Sequence, residues 1–324
     1  MPYGTARAVF KRCFPVFGGV QCCPVAPTPS CPVALVSSVS TSPAILVLPS
    51  PFFADSDTIH LLEAADCDQQ GVLRQVVSGA YDKPYVIDDG QTRSLHFSLS
   101  LIQSTMSLKD PFALELDYTQ AMMSFLLFLG RPRQILLLGL GGGSLAKFCH
   151  RHVGSARITV VEIDPRVIAF RDVFELPPDD ARLRVCEGDG ADWVGLSAGW
   201  EERPDVIMMD AFDRHGLSGS VSSIAFYQSV LDALTGKGVM VANLAGERDD
   251  REDHLAMIAE VFDDRVLHYS LPDGNDIVLA FRAPGFAPRW REIANQAKAL
   301  RSRMGLDFPR YAERLERSRR LRYT

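Results

Sequence analysis

Gln134-Ile135-Leu136-Leu137-Leu138 runs without a break into Gly139-Leu140-Gly141-Gly142-Gly143, and a helical pattern opens at about Ser144. This order decides the fold, because a short apolar run, a glycine-rich turn and a helix start together make a strand–turn–helix unit with its loop free for a ligand. Glycine in such a loop permits positive φ and lets the backbone approach a bound group closely, while the helix N-terminus offers unpaired N–H donors. On the glycines alone, a plain tight turn accounts for the pattern equally well.

Working outward, Arg157–Val161, Leu183–Cys186, Asp205–Met209 and Gly238–Asn243 are further short runs rich in β-branched residues or leucine, with helical patterns between them. Alternation of this kind predicts a parallel sheet covered on both faces. Val266–Ser270 and Ile277–Phe281 flank Asp273-Gly274, so the sheet is expected to finish with an antiparallel hairpin and to reach seven strands. Upstream, Tyr85-Val86-Ile87 and Ser94-Leu95-His96-Phe97 enclose the turn residues Asp88-Asp89-Gly90, which predicts a hairpin in a small β-domain. Tyr118 to Leu129 is almost wholly apolar and reads as a buried helix ended by Gly130 and Pro132. The predicted organisation is a disordered segment over residues 1–70, a small β-domain over 71–112, a doubly wound α/β domain over 113–286, and a basic helical segment over 287–324.

A formal net charge of -6 gives no global basic surface for nucleic acid, so small or cationic ligands are the expected partners. The last segment departs from that balance. Between Ala287 and Thr324, Lys and Arg number 11 and acids 4, and the predicted reading is a solvated helix whose Leu300, Met304 and Leu315 lie on the domain or on a second subunit. Val20 to Phe53 is rich in Pro, Ser, Val and Cys, has few charges and keeps no period, which reads as a tail. Arg7, Lys11 and Arg12 precede an apolar stretch, but Pro15, Pro24, Pro27 and Pro29 break any secretory h-region. No stretch approaches the roughly 20 uninterrupted apolar residues of a membrane span, so a cytoplasmic enzyme is expected. The seven cysteines lack metal-ligand spacing, and neither a metal site nor a disulfide framework is predicted.

About twenty residues past the glycines, the second strand ends in Val161-Glu162-Ile163-Asp164. That places the Glu162 carboxylate where a ribose would present two hydroxyls, and a carboxylate can accept from both. The third strand ends in Glu187-Gly188-Asp189-Gly190. Asp189 is either an acceptor for the exocyclic amine of adenine or the N-cap of the helix that starts at Ala191, and Gly190 would let the ring lie on the backbone. Gly139, Gly141, Gly143, Glu162, Asp189 and Gly190 are thus the predicted nucleoside-binding set.

Taken in order, Ile135 to Ser144, Val161-Glu-Ile-Asp-Pro165, Gly188-Asp-Gly190 and Asp205-Val-Ile-Met-Met-Asp-Ala-Phe-Asp213 resemble the signature series of the polyamine aminopropyltransferases, the spermidine synthase family. The resemblance runs from about Val72 to Arg282 and takes in Ile102-Gln-Ser-Thr105, Asp117-Tyr-Thr-Gln120, Phe226-Tyr227 and Val241-Ala-Asn-Leu244. It implies a sheet like that of the class I methyltransferases, a homodimer, and no prosthetic group. It also implies a reaction, in which a polyamine amine attacks the methylene beside the sulfonium of decarboxylated S-adenosylmethionine and leaves methylthioadenosine. On this resemblance Asp210 is the proton acceptor, Asp213 helps hold the amine, and Gln103, Tyr118 and Tyr227 line the acceptor pocket. Gln103, Tyr118 and Tyr227 also suit a core or interface role, and Asp210 and Asp213 suit a helix cap or a solvent-facing position.

Two departures bear on the chemistry. The family usually carries Asp where this chain has Gly142, and Pro after the second acid where it has Arg214-His215. Losing the loop carboxylate removes a partner for the ammonium of a decarboxylated donor. An S-adenosylmethionine-dependent methyltransferase and a non-catalytic nucleoside-binding paralogue therefore stand as alternatives to aminopropyl transfer.

Overall fold

The computed structural model describes residues 44–52, 57–99, 101–213, 216–217 and 219–321, and these described residues belong to one compact unit. The chain enters through a five-stranded antiparallel sheet: β1 (Leu46–Pro49), β2 (Thr58–Leu61), β3 (Tyr85–Asp88), β4 (Thr92–Ser98) and β5 (Leu101–Ser107), hydrogen-bonded in that order. A helix, α1 (Gln69–Ser78), lies between β2 and β3, capped by Asp68, whose side chain accepts from the Gly71 N–H. The β3–β4 turn forms as the sequence predicts, with the Asp88 and Asp89 carboxylates accepting from the Gly90, Gln91 and Thr92 N–H groups.

The expectation of a disordered segment over residues 1–70 is corrected for residues 44–52 and 57–70. β1 and β2 pair from Leu46↔Leu61 to Pro49↔Thr58, and β2 pairs with β3. Leu48, Ile59 and Leu61 pack with Val76, Tyr81, Tyr85 and Ile87 in a cluster of their own. Each new strand is only four residues long, so the alternation of Thr58-Ile59-His60-Leu61 is too brief to stand out within a Pro- and Ser-rich stretch. Residues 1–43 lie outside the described residues.

Next come α2 (Asp117–Met122), a 3₁₀ turn over Met123–Leu127, and then β6 (Gln134–Leu138), α3 (Ser144–His152), β7 (Arg157–Glu162), α4 (Pro165–Ile168), β8 (Leu183–Glu187) and α5 (Gly190–Ser197). The second half holds β9 (Val206–Met209), a short ribbon of β10 (Phe212–Asp213) and β11 (Gly216–Leu217), α6 (Ile224–Ala233), β12 (Val239–Leu244), α7 (Arg248–Val261), β13 (Val266–Ser270) and β14 (Asp276–Phe281). Two helices close the chain, α8 (Trp290–Met304) and α9 (Phe308–Leu321). The single long helix expected from Tyr118 to Leu129 is instead one α turn and a half followed by the tighter 3₁₀ coil. Met123, Ser124, Phe125, Leu126 and Leu127 are all buried there, so no face of that coil is left for solvent.

Seven strands form the main sheet in the order β13-β14-β12-β9-β6-β7-β8. β12, β9, β6, β7 and β8 run parallel, and β14 and β13 are the expected antiparallel hairpin. Every residue of β6, β9 and β12 is buried, as befits interior strands covered on both faces. Chain order reverses on either side of β6, with β7 beside it in one direction and β9 in the other, and that switch opens a crevice beyond the carboxyl ends of the strands. The basic C-terminal segment belongs to the same core, because Ile293, Ala297, Leu300, Met304, Phe308 and Leu315 are buried in the main cluster. Among the described residues no helix is long and apolar enough to cross a membrane.

Candidate active site

A cavity of about 870 Å³ fills that crevice, walled by β5, α2, the glycine loop, the ends of β7, β9 and β12, the start of α7 and the β13–β14 turn. Gly139 turns the chain from β6 at φ 93°, and a Cβ there would lie 2.2 Å from the Asp210 carbonyl oxygen. No side chain fits. β6 and β9 can therefore end side by side, with the Asp210 N–H donating to the Leu138 carbonyl.

Glu162 ends β7 with 8% of its surface exposed, and the cavity takes that remaining face. One carboxylate oxygen accepts from the Leu140 N–H at 2.8 Å and the other from the Asp164 N–H at 2.9 Å. Burial pushes this carboxyl above its ordinary range, and the N–H groups of Asp164, Leu140 and Ile163 pull against that rise. Glu162 thus braces the glycine loop. A carboxylate has four lone-pair sites, so Glu162 retains acceptor capacity for a ligand hydroxyl.

Asp210 stands just past β9. One of its oxygens accepts from the Tyr118 hydroxyl at 3.3 Å, the other from the Asn243 side-chain amide at 3.1 Å. Burial raises its carboxyl to about 6, against the pull of these two donors. The Tyr118 hydroxyl also lies 3.4 Å from the Gln103 carbonyl, and burial together with Asp210 holds its phenol well above the usual value. Gln103, Tyr118, Gly139, Gly141, Glu162, Gly190 and Asp210 all line the one cavity.

The remaining sequence candidates stand elsewhere. Asp189 caps α5, its carboxylate accepting from the Ala191 N–H at 2.7 Å, which is the capping alternative, and it does not line the cavity. Gly143 lies behind the loop at φ 73°, and its N–H closes the turn onto the Leu140 carbonyl. Tyr227 is fully buried and one layer back: its hydroxyl shares a 3.0 Å hydrogen bond with Nδ1 of His254, and it is the His254 ring that reaches the cavity. Asp213 pairs by backbone with Gly216 in the short ribbon, and Arg214 and His215 lie outside the described residues.

Sequence reasoning passed over Ser104, Asn243, His254 and Asp273, which also line the cavity. Asp273 had counted only as a turn residue, yet its charge adds to the upward push on the Tyr118 phenol. Glu247, Asp250 and Asp273 make that end of the cavity acidic, whereas Arg251 is paired with Asp276. A Cβ at Gly142 would meet the Ser104 hydroxyl at 2.8 Å and the Phe174 ring at 2.9 Å, so a side chain there requires those two to shift.

Comparison with known proteins agrees with this geometry. The family model described as spermine/spermidine synthase domain matches residues 115–262. The polyamine aminopropyltransferase of Chromobacterium violaceum is 35% identical over 235 residues, covering 72% of this chain and 89% of that protein. Among solved structures, human methyltransferase-like protein 13, in complex with SAH, aligns with TM-score 0.52 and 28% identity over 59% of this chain and 93% of its own. A probable spermidine synthase from Corynebacterium glutamicum shares the fold with TM-score 0.56 at 19% identity, over 67% of this chain and 84% of its own. With the Chromobacterium violaceum enzyme matched at 35% identity over 89% of its length, the chain belongs to the polyamine aminopropyltransferase family.

Proposed function

We propose that this chain transfers an aminopropyl group from decarboxylated S-adenosylmethionine to an amine of a polyamine, with Asp210 as the proton acceptor. The observation that carries the reading is the Asp210 carboxylate, held between Tyr118 and Asn243 in a cavity that Glu162 also lines. The donor's sulfonium already activates its leaving group, so the protein must align the partners and supply a neutral nucleophile. An ammonium of pKa about 10 gives up its proton to a carboxylate near 6 less unfavourably than to one near 4, a gain of about 3 kcal/mol. The freed amine then forms the new C–N bond as the C–S bond breaks, and methylthioadenosine leaves neutral. Glu247, Asp250 and Asp273 supply the negative potential that draws in a polycation.

Glu162 is the proposed holder of the ribose hydroxyls. Glu162→Ala is expected to weaken methylthioadenosine binding by about 1.5–3 kcal/mol, roughly 10- to 150-fold, through lost charge-assisted hydrogen bonds. Isothermal calorimetry checks this, and an unchanged affinity would remove Glu162 from the ribose site. The direct test of the reaction is to incubate the chain with the decarboxylated nucleoside and a diamine, and to look for methylthioadenosine and the lengthened polyamine by mass spectrometry. Neither product forming, with nucleoside bound, would sink the transferase reading.

A second reading, use of S-adenosylmethionine itself, is favoured by one observation. The space beside Gly142 is filled by Ser104 and Phe174, so the loop carries no carboxylate to repel an intact methionine tail. The expected consequence is weak discrimination, less than about 10-fold, between the two nucleosides. Calorimetry with both ligands measures the ratio. A preference above roughly 100-fold for the decarboxylated form, about 2.7 kcal/mol, would assign the filtering to other residues.

A further inference from the structure

Asn243 is a polar residue on a strand that has no need of one. Val239, Met240, Val241, Ala242 and Leu244, the rest of β12, are apolar and fully buried, and Asn243 itself is 3% exposed. Strand register explains where its side chain goes. Ala242 pairs with Met209 of β9, so one residue further along both strands Asn243 comes abreast of Asp210. Its amide nitrogen donates to one Asp210 oxygen at 3.1 Å, while the amide oxygen is buried with no hydrogen-bond partner. An ionised carboxylate only accepts, which obliges the amide to turn its nitrogen towards Asp210 and leave its oxygen unbonded.

An orphaned acceptor in the core destabilises the fold, and an apolar side chain at this position would avoid it. The amide is therefore poorly explained by packing and well explained by the carboxylate it touches. Tyr118 holds the other oxygen from the opposite side, so the two donors leave Asp210 with one free lone pair on each oxygen, and Asp210 lines the cavity.

We propose that Asn243 is a positioning residue for Asp210: its amide pins one carboxylate oxygen, as the Tyr118 hydroxyl pins the other, and together they fix the direction in which Asp210 meets the incoming amine. Asn243 acts through Asp210 and takes no proton itself. This inference rests on the transferase reading of Asp210, but the hydrogen bond and its effect on Asp210 can be measured without turnover. Loss of one of two donors to a partly buried carboxylate favours its protonated form, so the same contact also keeps Asp210 ionised at neutral pH.

The test uses the full chain with Asn243→Leu and Asn243→Ala. Infrared absorption of the protonated carboxyl, assigned to Asp210 by its loss in Asp210→Asn, follows the titration directly. In both variants the Asp210 midpoint is expected to rise by about one pH unit. Turnover at pH 7 is expected to fall about 10- to 100-fold through kcat, with methylthioadenosine affinity within about twofold of wild type. The melting temperature of Asn243→Leu should equal or exceed that of wild type, a result that a merely structural asparagine would not give. An unmoved Asp210 midpoint in both variants overturns the proposal, whatever happens to stability. A midpoint that moves as expected in a chain that transfers no aminopropyl group supports the Asn243–Asp210 coupling and sinks the transferase reading alone.

Discussion

Asp210→Asn is expected to lower turnover by about 100-fold or more at pH 7.5 while methylthioadenosine still binds, because asparagine keeps the shape and the contact with Asn243 but cannot take a proton. Single-turnover assays beside calorimetry separate the two effects. Wild-type turnover should climb as pH rises through about 6, where Asp210 becomes ionised, and the variant should lack that limb. Stability follows the opposite course. The folded-state value of Asp210 lies above its ordinary 3.8, so the group's contribution to stability is fully present below about pH 4 and is lost as pH rises through about 6. At pH 8 wild type thus bears a half-buried charge that the variant lacks, and Asp210→Asn should be more stable there by about 1–3 kcal/mol, the gap closing towards pH 4. Equal turnover in both proteins would remove Asp210 from the chemistry. A lower stability of the variant at pH 8 would mean that its carboxylate is better solvated than its surroundings suggest.

The parts of this site that the sequence made legible are those whose chemistry is local. The glycine loop, Glu162 and Asp210 each stand at the end of a strand recognisable from five or six consecutive residues, and chain order alone brings those strand ends together at the switch beside β6. Asn243 left a fainter mark, a lone amide in an apolar strand. Its meaning depended on the parallel register of β12 against β9, which no local pattern encodes. Asp273 sits in a segment that reads fully as a hairpin turn, and His254 in a stretch between strand runs with no pattern that singles it out. Tyr227 shows the reverse effect: an aromatic on the inner face of α6 is drawn into the core by its own area, and the polar group that emerges at the cavity is the histidine bonded to it. Asp189 went to the helix cap because the first free N–H groups of α5 lie within reach of its short side chain.

Shortening the chain to begin at Gln69, which removes β1 and β2, is expected to be the most damaging change to the fold. Leu48, Ile59 and Leu61 are buried against Val76, Tyr81, Tyr85 and Ile87, and burying each such side chain is worth about 1.5–3 kcal/mol. Their joint loss, about 5–9 kcal/mol, is as large as the whole stability of many domains. It would also leave β3 as a bare edge carrying unpaired N–H and C=O groups, a template for aggregation. The damage is expected to reach the cavity, because β3 holds β4 and β4 holds β5, which brings the Gln103 carbonyl to Tyr118 and the Ser104 hydroxyl to the glycine loop. The shortened chain should therefore melt at least about 10 °C lower, or fail to stay soluble, and bind methylthioadenosine more weakly. A chain beginning at Ala44 is the comparison, since it keeps both strands. Equal melting temperatures for the two would show that β1 and β2 lie on the domain without supporting it, and that β3 is a sufficient edge.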